Sequence, residues 1–408
     1  MTSMARRIPS QIFRSSLKTL NRAHIGSLYH NPRTFSTSLP RLANRAIVYT
    51  STGNPSEVLS ARTYPSLGPP PQGHVNVRLL CAPVNPSDVN VIEGVYPVRP
   101  SLESLVGSTE SVFVGGNEGL GVVQRVGNGV DGLKEGDWVV FAKAQSGTWA
   151  SERCVNGSDV VRIPDMEGGG RIGEVQGATL TVNPPTAYNM LKEFVDLKAG
   201  DWVLQNGANS AVGQAVIQIA AHRGLRTINF VRDRDNMDEL RIQLHGLGAD
   251  QIFTYESLHS KDTISHIKSL TSSAGGIRLL LNCVSGSTTT SLARLLGANA
   301  TIVSYGAMSK QPLSLPTSLF IFKNLSCKGY WQQRWYMERG RTEREELMRE
   351  LVGLIGLRKL REPEHEIVRI GGGLSDGEAT QLVQGVMDRI EKGHYGKKIL
   401  FKFDTVDS

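Results

Sequence analysis

An arginine stands where an acid is ordinarily found. Residues 202–205 (Trp-Val-Leu-Gln) read as a buried strand that runs into Asn206-Gly207-Ala208-Asn209-Ser210-Ala211-Val212-Gly213 and then into a helical pattern. A strand–turn–helix junction of this kind offers unpaired backbone N–H groups and a positive helix end to a pyrophosphate. Ala208 and Ser210 occupy positions where glycine is usual, so the loop alone is a weak signal. The following strand, 228–231, ends in Arg232-Asp233-Arg234, and Arg232 lies 19 residues past Gly213. An acid at that place binds free ribose hydroxyls, whereas a guanidinium matches a 2′-phosphate in charge and shape. The pattern predicts NADPH as cofactor. The competing reading makes Arg232 and Arg234 a solvated pair beside Asp233.

The elements that must position these residues fall into two textures. Residues 45–183 are rich in short strand-like runs, such as 46–49, 75–80 and 137–141, punctuated by glycine and proline, which suggests a small barrel. Residues 99–114 and Gly168-Gly169-Gly170 read as surface loops. From about 186, helical patterns alternate with short apolar strands, as in βαβ units. Strands are expected at 201–205, 227–232, 279–284 and 300–305, and helices at 212–224 and 236–246. A final strand, 398–403, is expected to return to the first domain. The predicted fold class is α/β: a barrel-like domain plus a doubly wound parallel-sheet domain.

The formal charge of +7 misleads. Arg6, Arg7, Arg14, Lys18, Arg22, Arg33, Arg41 and Arg45 precede the first acid, Glu57, and without them 37 basic residues face 38 acidic ones. The near-neutral remainder gives no reason to expect nucleic acid or an anionic membrane as partner. The acid-free, Arg- and Ser-rich start reads as a mitochondrial transit peptide over 1–42, cut between 36 and 43. No run approaches the length of a membrane span. Cys81, Cys154, Cys283 and Cys327 form no CxxC pair, which argues for free thiols.

The order of the two domains resembles the medium-chain dehydrogenase/reductase superfamily, with a GroES-like barrel followed by a Rossmann domain. Gly116-Asn117-Glu118-Gly119 resembles the Gly-His-Glu segment of its zinc alcohol dehydrogenases, and the zinc-ligating histidine is replaced by Asn117. The upstream cysteine ligand is also missing, since that stretch reads Asn85-Pro86-Ser87-Asp88. Catalytic zinc needs three protein ligands, so no metal is expected, and Glu118 is assigned a structural role. Without a Lewis acid, a conjugated acceptor is the easier substrate. Hydride adds to the β-carbon, charge spreads onto a carbonyl oxygen that hydrogen-bond donors stabilise, and a tyrosine can supply the remaining proton.

Several motifs narrow the resemblance to the mitochondrial trans-2-enoyl-CoA reductases, zinc-free members of that superfamily. They are Asn85 to Tyr96, Gly115 to Gly119, Thr181 to Tyr188, Gln214 to Ala221, Arg232-Asp233-Arg234, Tyr305 to Met308 and Gly329-Tyr330-Trp331, spread over about 45–403. The resemblance implies Tyr96 as the catalytic residue, giving a hydrogen bond to the thioester oxygen or a proton to the enolate. It implies NADPH contacts from Asn183, from Asn209, Ser210, Ala211 and Val212, and from Arg232, Asp233 and Arg234. Further contacts are implied from Tyr305, Gly306, Ala307 and Met308, from Tyr330, Trp331 and Gln332, and from Lys397. Trp331 has a second reading as a wall of the acyl pocket.

The implied reaction is reduction of a 2-enoyl thioester on acyl carrier protein or CoA, in mitochondrial fatty-acid synthesis in the matrix, by a homodimer. The implied domains are 43–183 with 363–408 (GroES-like, catalytic) and 184–362 (Rossmann, NADPH-binding). Two rivals remain: a zinc-free NADPH quinone oxidoreductase, and a non-catalytic RNA- or transcription-factor-binding relative that kept the fold.

Overall fold

The computed structural model describes residues 44–393 and 397–403. The transit-peptide reading of 1–42 lies outside the described residues. Two sheets gather strands from residues 44–162 and 365–403. A four-stranded sheet runs in the order Ser60–Tyr64, Asn44–Tyr49, Ser111–Val114, Glu103–Ser104. A larger sheet runs in the order His365–Ile370, Lys398–Phe403, His74–Pro83, Leu120–Val126, Trp138–Phe141, Val160–Arg162, with Glu152–Asn156 paired to His74–Pro83 off that path. Lys398–Phe403 therefore joins a sheet begun at His74: Leu400 pairs with Pro83 and Phe401 with Ala82.

Alternation explains why these strands form. In His74–Pro83, Val75, Val77 and Leu79 share one face and pack on Val123, Val139, Phe141 and Val160. Trp149 is fully buried and meets the Phe401 ring edge-on at 5.2 Å, so the C-terminal strand fills core space beside the first strand. The stretch 99–114 is not a plain loop. Glu103–Ser104 and Ser111–Val114 pair antiparallel, because Val112 and Val114 bury themselves beside Ala46 and Val48.

The second half holds a six-stranded sheet in which every pair is parallel. Its order is Gln251–Thr254, Arg226–Val231, Trp202–Asn206, Ile277–Asn282, Leu296–Ser304, Ser326–Gly329. Counted along the chain this is 3-2-1-4-5-6, the doubly wound order with a switch point between the first and fourth strands. Both faces are covered, so the strands read as continuous apolar runs. Leu204, Phe230, Leu280 and Ile302 pack on one side, and Val203, Leu279, Leu281 and Val303 on the other.

The predicted strands and helices agree with these bounds to within a few residues. The largest difference is Leu296–Ser304, which begins four residues before the expected 300. A bulge there, with Asn299 at φ 58°, hides the early start from an apolar count. The four cysteines are free thiols. Among the described residues no helix is long and apolar enough to cross a membrane.

Candidate active site

Tyr96 is presented by the end of a short helix. Pro86–Ile92 starts at Asn85, whose backbone N–H is held by Asp88 Oδ2 at 2.8 Å. It stops at Gly94, where φ is +80°, a conformation that L side chains rarely adopt. There the N–H groups of Gly94 and Val95 return to the carbonyls of Val91 and Asn90. The chain turns out of the helix and leaves Tyr96 half-buried.

Trp331 Nε1 donates to the Tyr96 hydroxyl at 2.8 Å, with the two rings edge-on and 6.1 Å apart. A phenol oxygen that already accepts a bond keeps its own proton for another acceptor. Burial raises the phenol pKa, and the Asp88 charge raises it further against the opposing Trp331 bond. Tyr96 thus stays protonated at neutral pH.

Behind Tyr96 lies a buried polar cluster. Both oxygens of Glu118 are committed: Oε1 accepts from the N–H groups of Thr181 and Val182 at 2.9 and 2.8 Å, and Oε2 accepts from Asn85 Nδ2 at 2.9 Å. Asn183 Nδ2 reaches Asn85 Oδ1 at 3.4 Å, and the same oxygen accepts from Lys398 Nζ. Burial pushes the Asp88 carboxyl up to about 7 and also raises Glu118, while it lowers the Lys398 ammonium against the pull of both acids.

This donor set does not fit zinc. Asn117 Oδ1 accepts from Gln145 N–H at 2.8 Å, and Glu118 is a hub for backbone amides, which is the structural role expected of it. No group of three or more His, Cys, Asp or Glu able to hold a metal exists among the described residues.

The cofactor side gathers at the switch point of the parallel sheet. Asn206 Nδ2 donates to Asn282 Oδ1, and Asn282 Nδ2 to Ser304 Oγ, tying three strand ends together at 2.8 and 2.9 Å. Helix Ala211–His222 starts at Ser210, whose hydroxyl accepts from Gly213 N–H. Gly213 must be glycine, since a Cβ there would sit 2.6 Å from the Ala208 carbonyl oxygen. The tight packing lost by Ala208 and Ser210 in place of glycine is thus retained at the third position. Asn209 directs its carbonyl to Gln214 Nε2, and the N–H groups of Ala211 and Val212 have no acceptor among the described residues.

Arg232 and Arg234 make no ion pair among the described residues. Arg234 Nε is buried without a partner, and its pKa is lowered first by burial and then by Arg232. Two guanidinium groups placed side by side without a carboxylate form an anion site. Asp233 turns its carboxylate to the Arg234 backbone N–H instead. These features fit a dinucleotide carrying an extra phosphate.

The other expected contacts lie along the same edge. Tyr305, Gly306, Ala307 and Met308 leave the strand Leu296–Ser304; the Tyr305 hydroxyl is enclosed without a hydrogen-bond partner beside Cys283 and Ser210, and Met308 is 56% exposed. Tyr330 donates to Gln332 Oε1 at 2.6 Å and accepts from Asn189 at 3.0 Å, which leaves Gln332 Nε2 buried and unpartnered. Trp331 reaches across to Tyr96. Lys397 stands apart: it is exposed, and its charge is felt by Glu366.

Two residues escape the sequence reading. Tyr255 accepts from Gly207 N–H at 2.8 Å and stacks on Phe230, so it pins the phosphate loop from below. Lys398 enters the Asn85 cluster. Strand parity gives no signal for it, since Ile399, Leu400 and Phe401 are all buried and both faces read as inward.

Comparisons with known proteins agree on family. Residues 71–187 match the alcohol dehydrogenase GroES-like domain and 211–352 the zinc-binding dehydrogenase family. An enoyl-[acyl-carrier-protein] reductase, mitochondrial, of Xenopus tropicalis is 42% identical over 82% of this chain and 90% of its own. A solved complex of Etr1p with NADP and crotonyl-CoA superposes with TM-score 0.80 at 34% identity, covering 88% of this chain and all of that one. The Etr1p/Etr2p heterodimer of mitochondrial 2-enoyl thioester reductase from Candida tropicalis gives TM-score 0.80 at 33% identity over the same shares.

Proposed function

This chain belongs to the family of mitochondrial enoyl-[acyl-carrier-protein] reductases, and we propose that Tyr96 is its proton donor in a cleft walled by Trp331 and Asn183. The protein is a mitochondrial, NADPH-dependent enoyl thioester reductase with a GroES-like domain and a Rossmann-type sheet. NADPH, when bound, supplies the hydride that the β-carbon of the enoyl thioester receives.

In this reading Arg232 and Arg234 hold the 2′-phosphate, with Asp233 keeping the turn between them. The amides of Ala211 and Val212, with Asn209 and Ser210, hold the pyrophosphate. Tyr305, Gly306, Ala307 and Met308 line the strand ends. Asn183, Tyr330 and Gln332 serve the nicotinamide end, Trp331 bridges it to the phenol, and Lys397 is a distal contact. Tyr96 Oη donates to the thioester oxygen, or passes its proton to the α-carbon once the enolate has formed.

The observation that carries this reading is the Trp331 bond. It supports the reading because it ties a phenol that stays neutral at neutral pH to Trp331, two residues past the last strand of the parallel sheet. The test is NADPH oxidation by the purified protein with crotonyl-CoA and with a quinone, each with and without a strong chelator. Turnover of crotonyl-CoA alone, indifferent to the chelator, is expected. Turnover of the quinone alone would transfer the assignment to the quinone reductases, and chelator-sensitive turnover would restore a metal.

The same reading places the enzyme in the matrix, acting on acyl carrier protein-bound substrate, with domains at 43–183 plus 363–408 and 184–362. Support for the boundary comes from helix Asn183–Glu193, which packs on Ala211–His222, and from His365–Ile370, which joins the larger first sheet.

A homodimer is supported by the parallel sheet's edge. All four residues of Ser326–Gly329 are exposed, and the preceding helix Thr317–Lys323 shows Ile321 67% and Phe322 81% exposed. An open edge strand beside apolar surface invites pairing with a second copy. Replacing Ile321 and Phe322 together by aspartate is expected to convert a dimer into a monomer in sedimentation velocity. A wild-type monomer would remove the proposal.

A further inference from the structure

We propose that Lys398 is a positioning residue for the nicotinamide end of the cleft, acting through Asn85 and Asn183. The inference rests on the reading of Asn183 given above. Lys398 lies at the start of the last strand, about 300 residues from Asn85 in sequence, yet its ammonium enters the interior and donates to Asn85 Oδ1.

A carboxamide can be turned either way about its last bond, and only its partners decide which end is oxygen. Here the decision is made from two sides. Lys398 faces the oxygen with three donors and no acceptor, while Glu118 Oε2 faces the nitrogen at 2.9 Å with an acceptor. Turning Asn85 over would set an NH2 against an ammonium and an oxygen against a carboxylate. Both contacts are repulsive inside a buried site.

The fixed oxygen has a second lone pair, and Asn183 Nδ2 uses it at 3.4 Å. That bond in turn orients Asn183, which is 8% exposed and opens helix Asn183–Glu193. Its Oδ1 is left without a hydrogen-bond partner among the described residues. An acceptor held in this way suits the N–H2 of a carboxamide, the group that ends a nicotinamide. Among the described residues Lys398 supplies the positive charge that sets the direction of this relay, opposite the Glu118 carboxylate.

A simpler role competes with this one. Lys398 also lies near Glu118 and Asp88, so it would serve as a counter-ion to buried acids even with no bearing on the cofactor. The two roles separate on the ligand that lacks nicotinamide.

Equilibrium binding of NADPH and of 2′-phospho-ADP-ribose should be measured by calorimetry on wild type, Lys398→Met, Asn183→Ala and the double variant Lys398→Met/Glu118→Gln. Thermal melts report whether each is folded. Lys398→Met is expected to weaken NADPH about tenfold while leaving 2′-phospho-ADP-ribose unchanged, as for a single charge-assisted hydrogen bond. The double variant removes the acid that Lys398 would most directly neutralise, Glu118, and its NADPH deficit should persist.

Equal loss on both ligands, no loss on either, or recovery of NADPH binding in the double variant would each overturn the proposal in favour of the counter-ion role. Should Lys398→Met fail to fold, the double variant carries the test alone. Weakened NADPH binding in Asn183→Ala beside wild-type binding in Lys398→Met defeats Lys398 and leaves Asn183 in place. Wild-type binding in Asn183→Ala defeats the assignment of Asn183 itself, and the relay with it.

Discussion

Tyr96→Phe should lower kcat with crotonyl-CoA by about 10²–10⁴-fold, the usual worth of a positioned general acid, and leave the Kd for NADPH unchanged. The substitution removes one oxygen and no ring. The edge-on packing against Trp331 survives, and the loss is confined to the hydrogen-bond donor and to the acceptor of Trp331 Nε1. Because burial and Asp88 hold the phenol pKa above its ordinary value, kcat should stay level through neutral and mildly alkaline pH. It should fall only where the phenol ionises, and the Phe variant should lack that alkaline limb. A kcat close to wild type in stopped-flow measurements would remove Tyr96 as the acid.

The second large effect falls on cofactor choice. Arg232→Ala is expected to weaken NADPH by about 10–100-fold, the range for losing a charge-assisted bond, and to leave NADH unaffected. The reason lies in the unpaired state of the two arginines. Since no carboxylate among the described residues pairs with them, Arg232 contributes repulsion to Arg234 in the free protein, and deleting it removes that cost. The variant should therefore melt no lower than wild type even as its NADPH binding falls. Unchanged preference for NADPH over NADH, measured by Kd for both, would move the phosphate anchor elsewhere. Unchanged binding together with a lower melting temperature would make Arg232 a surface residue with a structural contact.

Much of this site is written in local pattern. The phosphate loop follows from a strand, a small-residue turn and a helix, and Arg232 ends the next strand at a fixed offset from Gly213. Gly94 marks the turn that releases Tyr96. These features are readable because the physics that makes them is local: hydrogen bonds within a few residues and the permitted φ of one glycine. The parallel sheet was legible for a similar reason, since strands buried on both faces leave unbroken apolar runs.

The rest depends on contacts between distant segments. Trp331 meets Tyr96 across 235 residues, and neither neighbourhood hints at the other. Lys397 and Lys398 look equivalent as letters. Only the pairing register of the last strand, set by Leu400 opposite Pro83, decides which of them turns inward. The short strands within 99–114 were missed because Ser111–Val114 pairs with the distant Asn44–Tyr49, and the two-residue Glu103–Ser104 that pairs with it carries no periodicity.

The late return of the chain bears on how the protein is made. Phe401 and Lys398 complete a sheet whose remaining strands, apart from His365–Ile370, lie before residue 163, so that sheet stays unfinished until the whole parallel-sheet half has been made. Folding from the front, one unit after another, is therefore closed to it. The parallel sheet, whose strands all lie between Trp202 and Gly329, can consolidate first as an inserted unit, whereas the polar cluster at Asn85 waits for Lys398.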